Sequence, residues 1–266
     1  MKYSNPEGIL RIPFPFLGFP KPTDRFAIND ENASFDYMGR EKFAEVLAEI
    51  GALGPYKYRA LYVYGTIGYG KSHILAAMTC LLLQQGKRVV YLPDCRAMAA
   101  DFLEYIKSGL LLAFGDSESH QLRIQKCGSA DEIISFCKRI VLDDRIRLYF
   151  IVDQLNAPDK DNEGTNKDEV SNDVELHIRA SLNRIMYEHF VIESASASYQ
   201  SAMHMKQKQL SKVKLSLMGG FSEVSYPCYA VVCVAIISHM LIQCYVPDGD
   251  ATMVVPLSGQ IADLDR

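Results

Sequence analysis

The sequence predicts an α/β fold in which helices cover both faces of a parallel sheet. Apolar, β-prone runs alternate along the chain with helical patterns of apolar residues, and one run leads through a glycine-rich segment directly into a helix. Crossover connections of this kind place successive strands parallel. The strands are predicted at residues 60–64, 88–92, 148–153 and 190–192.

Each helix is predicted from apolar residues at helical spacing. The first opens with residues 37–41, the second follows the glycine-rich segment and ends at Gly86, and two more cover residues 95–114 and 130–141. Ser129 and Glu132 form a capping box at the start of the helix at 130–141. The predicted core residues of three helices are Phe43, Val46, Leu47 and Ile50; Ile74, Leu75, Met78, Leu81 and Leu82; and Val174, Ile178, Leu182 and Ile185.

Residues 65–72 fit the phosphate-loop pattern G-x-x-x-x-G-K-[ST] at every required position, between a strand and a helix. Glycines let the backbone turn tightly, so that its N–H groups and the helix dipole face an anion. Lys71 would reach the terminal phosphates, and the Ser72 hydroxyl would hold Mg²⁺. A glycine-rich turn that binds nothing is the alternative. The predicted nucleotide-binding residues are Gly65, Thr66, Ile67, Gly68, Tyr69, Gly70, Lys71 and Ser72.

Residues 148–153 form an apolar run that ends in an acid, as expected of a buried parallel strand with Asp153 at its tip. We expect this strand to lie beside the first one, with Asp153 orienting Mg²⁺. Gln154 follows, where many ATPases carry a glutamate base. An amide can orient water but cannot accept its proton. Lys71, Asp153 and Gln154 are therefore the catalytic candidates, and nucleotide binding is a firmer prediction than hydrolysis.

The composition indicates one sizeable domain without a general attraction to nucleic acid. The chain has 266 residues, a formal net charge of −4 and a pI near 5.9. Seven scattered cysteines without C-x-x-C spacing argue against a disulfide framework and a zinc site. Prolines interrupt the apolar residues 10–20, so no secretory signal is predicted and we expect an intracellular protein, cytoplasmic or nuclear. A basic cluster, interpreted as a solvated helix face, comprises Lys206, Lys208, Lys212 and Lys214.

Three segments are predicted: an extended N-terminal arm at 1–35, the nucleotide-binding domain at 36–225, and an apolar tail at 226–266. Within the tail, residues 229–246 are long enough to span a bilayer. They could equally be a buried helix, or read-through sequence at the end of a truncated gene. We favour the last two readings over a membrane span.

Other polar residues have two readings each. Ser194 or Ser196, after the strand at 190–192, could sense the terminal phosphate or lie at a solvated strand end. Arg179 and Arg184 could stabilise transferred charge or form surface ion pairs. Residues 166–169 almost spell the guanine-reading N-K-x-D but end in glutamate, with no strand before them. We therefore expect ATP rather than GTP.

Five segments together resemble the P-loop NTPase module of Crinkler-type proteins, which are effector-like proteins of oomycetes and some fungi. They are residues 60–76, 89–95, 153–156, 194–196 and 219–222. The same module is similar to the retrotransposon hot spot proteins of trypanosomes. The resemblance implies Mg²⁺-dependent ATP binding, and in this family glutamine after the metal-binding aspartate is the usual state.

The resemblance covers residues 35–225. Residues 39–41 also look like the G-R-E box of related ATPases, which implies that Arg40 lies near the adenine; a surface arginine at a helix start is the alternative. The chain departs from the family in lacking a translocation header and a nuclease constellation, so secretion, host entry and toxicity are not expected.

These observations predict an ATP-binding P-loop NTPase that hydrolyses ATP and gates a protein partner. The alternative is a nucleotide-dependent interaction module that does not hydrolyse. A membrane-tethered NTPase is a third reading and rests on the tail alone.

Overall fold

The centre of this computed structural model is a parallel sheet of five strands. The structure describes residues 2–18, 22, 25–29, 31–65, 68–95, 97–154, 172–194 and 213–217. The chain divides into two units, residues 1–224 and 225–266, and every described residue belongs to the first. The predicted division at residues 35 and 225 stays a prediction.

Strands and helices alternate through most of the described chain. The strands are β1 (Ile9–Pro13), β2 (Ser34–Met38), β3 (Ala60–Gly65), β4 (Val89–Leu92), β5 (Tyr149–Val152), β6 (Phe190–Ser194) and β7 (Val213–Leu217). The helices are α1 (Phe43–Ala52), α2 (Lys71–Gln84), α3 (Phe102–Ala113), α4 (Glu118–Gln125), α5 (Ala130–Leu142) and α6 (Asn172–Met186). Short 3₁₀ turns cover Lys2–Ser4 and Ala97–Ala99.

The strand order in the sheet is β4-β5-β6-β3-β7, and each neighbouring pair is parallel. This confirms the α/β fold class, a P-loop NTPase fold. The expectation that the strand before Asp153 lies beside the first strand is wrong, because β6 lies between β3 and β5. A strand buried on both faces is apolar throughout, so its sequence does not encode its neighbour. Strands β1 and β2 form a separate antiparallel pair. Since the five strands of the central sheet are all parallel, their carboxyl ends still meet at one edge.

Helix α2 lies deep in the core, and its residues 74–80 are all buried. A helix that is apolar on every side is stable only when other elements surround it. The sheet covers one side, and aromatic residues of the N-terminal segment add to the same core: Phe14, Phe16, Phe26 and Phe35. The segment predicted as an arm thus supplies core residues, and β2 crosses the predicted boundary at residue 35.

Several helix predictions need correction. The helix predicted at 95–114 begins only at Phe102, because the Asp101 side chain caps it by accepting from the Glu104 N–H at 3.0 Å. Helix α4 was not predicted, since its residues are mostly polar and lack apolar periodicity. Val174 is 43% exposed rather than part of the core.

Of the two hydrogen bonds in the predicted capping box at α5, the one to the Ser129 side chain is confirmed. Ser129 accepts from the Glu132 N–H at 3.3 Å. The Glu132 carboxylate reaches past Ser129 to the N–H of Gly128, at 2.6 Å. Both contacts satisfy N–H groups at the helix start, which is what a capping box achieves.

The basic cluster was interpreted wrongly at Lys214, which lies in strand β7 and not on a helix. Its pairing with β3 is a tertiary contact that a local pattern cannot indicate. Lys206, Lys208 and Lys212 lie outside the described residues, as do residues 166–169, Ser196 and the apolar residues 229–246. Within the described part of the chain, no helix combines the length and apolarity needed to cross a bilayer.

Gly65→Ala is expected to destabilise the protein by about 2 kcal/mol or more. Gly65 has φ of 153°, and an added Cβ would lie 1.9 Å from the Leu217 carbonyl oxygen of β7. Urea unfolding without nucleotide measures the loss. Gly51→Ala is the matched control, because a Cβ there meets nothing within 4 Å. Equal stability of the two variants would contradict the packing of β7 on the end of β3.

Candidate nucleotide-binding site

The phosphate-loop segment joins the end of β3 to the start of α2. Gly68 and Gly70 have φ of 80° and 85°, a left-handed conformation that glycine adopts without strain. The first helical hydrogen bond runs from the Ile74 N–H to the Gly70 carbonyl, at 2.9 Å. The N–H groups of the preceding helical residues are the ones that a helix start offers to an anion. Thr66 and Ile67 lie outside the described residues.

Lys71 lies over the loop that precedes it. Its Nζ donates to the Gly65 carbonyl oxygen at 3.2 Å. Burial lowers the pKa of Lys71, and the negative charge of Asp153 opposes this shift. Lys71 follows β3 and Asp153 follows β5, and the carboxyl ends of these parallel strands lie at one edge of the sheet. The two predicted site residues therefore share this edge, although some eighty positions separate them in the sequence.

Asp153 is 1% exposed and lies just past the end of β5. Its Oδ1 accepts from the Ser194 hydroxyl and from the Gln154 N–H, the latter at 2.9 Å. Its Oδ2 accepts from Nη1 of Arg25 at 3.2 Å. Ser194 reaches Asp153 because β5 and β6 are neighbours in the sheet. Its predicted role as a phosphate sensor stays a prediction, and its observed contact is with the carboxylate.

Gln154 has φ of 55°, in the left-handed region that residues with a Cβ enter at a cost of about 1 kcal/mol or more. The bond from its N–H to the Asp153 carboxylate supports this conformation. Backbone strain of this kind is concentrated at functional sites. This strained conformation lies immediately beside the predicted metal ligand Asp153.

Arg25 was not predicted as a site residue; it belongs to the proline-rich segment between β1 and β2. Besides its contact with Asp153, its Nη2 lies 2.8 Å from Oδ2 of Asp94. The side chain of Arg25 is 15% exposed, that of Asp153 2% and that of Asp94 12%, so the ion pairs are largely shielded from water. Asp94, which entered the sequence analysis only as part of a resembling segment, follows β4 and is fixed by its N–H bond to the Tyr105 hydroxyl at 2.9 Å.

Arg40 lies against the phosphate loop. A Cβ added to Gly70 would be 3.2 Å from Nε and 3.3 Å from Nη2 of Arg40. Its Nη1 donates to the carbonyl oxygens of Met38 and Gly39, at 3.3 and 3.2 Å. The guanidinium is thus held beside the loop, and its proximity to the adenine stays a prediction.

His73 connects the loop helix to the N-terminal segment. Its ring centroid lies 4.6 Å from that of Phe26. Burial, together with the charges of Arg40 and Arg25, lowers the pKa of His73 to about 4. His73 is therefore neutral at pH 7 and packs as an aromatic residue.

The two arginines of α6 have different surroundings. Arg184 forms an ion pair with Asp131 at 3.1 Å, and both side chains are more than half exposed. This favours the surface reading for Arg184. Arg179 is half-buried and acts electrostatically on the buried Cys95, and its role as a charge-stabilising arginine stays a prediction.

Two of the predicted site residues carry oxygen donors of the kind that suits a magnesium ion. Asp153 offers a carboxylate and Ser72 a hydroxyl, and Mg²⁺ prefers such hard oxygen ligands. Ser72 is the second residue of α2, next to Lys71. The one basic group in direct contact with the Asp153 carboxylate, among the described residues, is Arg25.

No protein-family model and no curated protein matches this chain. Solved structures with a similar course of the chain include AMPPCP-bound DnaA from Aquifex aeolicus, with 15% identity, a TM-score of 0.35, and coverage of 88% of this chain and 58% of that one. Another is Drosophila ORC bound to GC-rich DNA and Cdc6, with 16% identity, a TM-score of 0.41, and coverage of 66% of this chain and 28% of that one. A third is ORC2 of Aeropyrum pernix in ADPNP–ADP complexes, with 16% identity, a TM-score of 0.34, and coverage of 65% of this chain and 46% of that one.

The chain therefore spans about half the length of these proteins, or less. Likenesses of this degree carry no argument about activity. The P-loop fold is evident from the sheet order, the glycine conformations and the position of Asp153 described above.

Ser194→Ala is expected to destabilise the protein by about 2 kcal/mol, because it removes a buried hydrogen bond to a charged group. Urea unfolding measures the change. Ser135→Ala is the matched control: its exposed hydroxyl donates to a carbonyl within α5, and its loss should cost about 0.5 kcal/mol or less. Equal effects of the two substitutions would show that the Ser194 contact with Asp153 contributes nothing.

Proposed function

We propose that the chain binds ATP with Mg²⁺ and hydrolyses it, and that the nucleotide state gates a protein partner inside the cell. The observation that carries the proposal is the convergence of Lys71 and Asp153 at the carboxyl edge of the sheet. Ligands bind outside this edge in open α/β sheets. ATP is preferred over GTP because residues 166–169, the nearest match to a guanine-reading motif, end in Glu169.

Each predicted site residue has a part in this proposal. The N–H groups of the loop and of the first turn of α2 bind the phosphates, with Lys71 as the charged partner. Ser72 and Asp153 would hold Mg²⁺, which neutralises charge on the β- and γ-phosphate oxygens when bound. Ser194 and the Gln154 N–H orient the Asp153 carboxylate.

Gln154 limits the chemistry that can be proposed. Its amide can orient the attacking water, as glutamine does in small GTPases, but cannot take up the proton. Catalysis would then depend on positioning and charge stabilisation, and turnover would be slow. The same residue favours the second candidate function, a nucleotide-dependent interaction module that does not hydrolyse. The proposed protein partner rests on the resemblance to Crinkler-type modules.

Lys71→Ala is expected to weaken Mg-ATP binding by about tenfold or more, since a charge-assisted contact contributes about 1.5–3 kcal/mol. Isothermal titration calorimetry with Mg-ATP measures the change. Lys87→Ala is the matched control, because Lys87 is an exposed lysine just beyond the other end of α2. Unchanged affinity in Lys71→Ala would remove the phosphate-loop assignment.

The protein is expected to release phosphate from radiolabelled ATP in a single-turnover assay, above the background given by Lys71→Ala. Gln154→Ala should lower this rate while Mg-ATP still binds, because the water would lose its orienting amide. Nucleotide binding without phosphate release over hours would leave only the non-hydrolysing module. A competition series with GTP in the same assay tests the base preference.

A further inference from the structure

We propose that Arg25 competes with Mg²⁺ for Asp153 and thereby sets how much Mg²⁺ the nucleotide site requires. The inference rests on the proposed function, because it concerns the ion that would accompany the nucleotide. It assigns a regulatory role to a residue outside the phosphate loop and outside the strand that carries Asp153.

The guanidinium of Arg25 bridges two carboxylates through different nitrogens. Nη1 lies 3.2 Å from Oδ2 of Asp153, and Nη2 lies 2.8 Å from Oδ2 of Asp94. The planar fork of arginine suits such bridging, which the point charge of lysine cannot reproduce. Because the group is 15% exposed, salt and water screen its charge only weakly.

A metal ion at Asp153 would have to share that carboxylate with Arg25. Oδ1 already accepts from Ser194 and from the Gln154 N–H, while Oδ2 accepts from Arg25. A divalent ion beside Asp153 and the guanidinium repel each other as like charges. Binding of one cation therefore weakens the hold of the other, and this coupling is reciprocal.

The surrounding structure holds Arg25 at this position. Asp94, at the end of β4, is one anchor, and the adjacent Phe26 is another. Phe26 is fully buried and packs on His73, next to the predicted metal ligand Ser72. The N–H groups of Arg25 and Phe26 both donate to the Pro22 carbonyl oxygen, at 3.2 and 3.1 Å. Release of Arg25 from Asp153 would thus loosen residues 25–29.

A purely structural ion pair predicts different behaviour. If Arg25 only supported the fold, its loss would lower stability without changing the Mg²⁺ dependence of nucleotide binding. If it bound phosphate directly, its loss would weaken binding at every Mg²⁺ concentration. Competition alone predicts that the Mg²⁺ requirement falls when Arg25 is removed.

The test compares the full chain with Arg25→Gln. Binding of a non-hydrolysable ATP analogue is titrated against Mg²⁺ and repeated in EDTA, after thermal unfolding has shown that both proteins are folded. The expected result is a half-saturating Mg²⁺ concentration about tenfold lower in Arg25→Gln, within the usual range for coupled sites. Affinity in EDTA should not rise. Arg11→Gln, which removes an exposed ion pair with Asp36 on the same N-terminal segment, should leave the Mg²⁺ curve unchanged.

An unchanged or higher Mg²⁺ requirement in Arg25→Gln overturns the proposal. If that variant does not fold, hydrogen exchange of the unaltered protein decides: residues 25–29 should exchange faster with analogue and Mg²⁺ than with analogue in EDTA, and equal rates overturn it. If the unaltered protein binds no nucleotide, the proposed function fails separately. In that case both proteins are titrated with Mn²⁺ alone, and electron paramagnetic resonance measures the bound ion. Competition predicts that Arg25→Gln binds Mn²⁺ more tightly, and equal or weaker binding rejects the proposal.

Discussion

The buried carboxylate of Asp153 is the interaction on which the arrangement of the site depends. It accepts hydrogen bonds from Ser194, from the Gln154 N–H and from Arg25, which come from three different parts of the chain. A buried charge without partners would be costly, so each contact fixes an element as well as satisfying an oxygen. The end of β6, the strained Gln154 after β5 and the N-terminal segment all meet at this group.

The N-terminal segment extends this dependence to the phosphate loop. Arg25 contacts Asp153, its neighbour Phe26 packs on His73 of α2, and Arg40, just after β2, lies against Gly70. The two halves of the candidate site, the loop and the acidic strand end, are thus connected through residues that precede both in the sequence.

How far local patterns predict such a site differs from residue to residue. The phosphate-loop pattern is contiguous, so spacing alone predicts Gly68, Gly70 and Lys71, and the positive φ of the two glycines and the start of α2 at Lys71 agree with the pattern. The position of Asp153 after a buried strand is also predicted, because an apolar run that ends in an acid is a local pattern. Arg25 was missed because an arginine in a proline-rich segment has no local signature. Helix α4 was missed because its residues lack apolar periodicity. Strand β7 was missed because it contains Lys214, which was assigned to a basic helix face.

The sequence by itself determined the α/β class, the phosphate loop and the acid at the end of β5, because each follows from residues adjacent along the chain. Only the tertiary structure decided that β6 separates β3 from β5, that Ser194 donates to Asp153, and that Arg25 bridges Asp153 and Asp94. These are contacts between distant segments, chosen by packing and by the need to pair buried charge, and no local pattern encodes them.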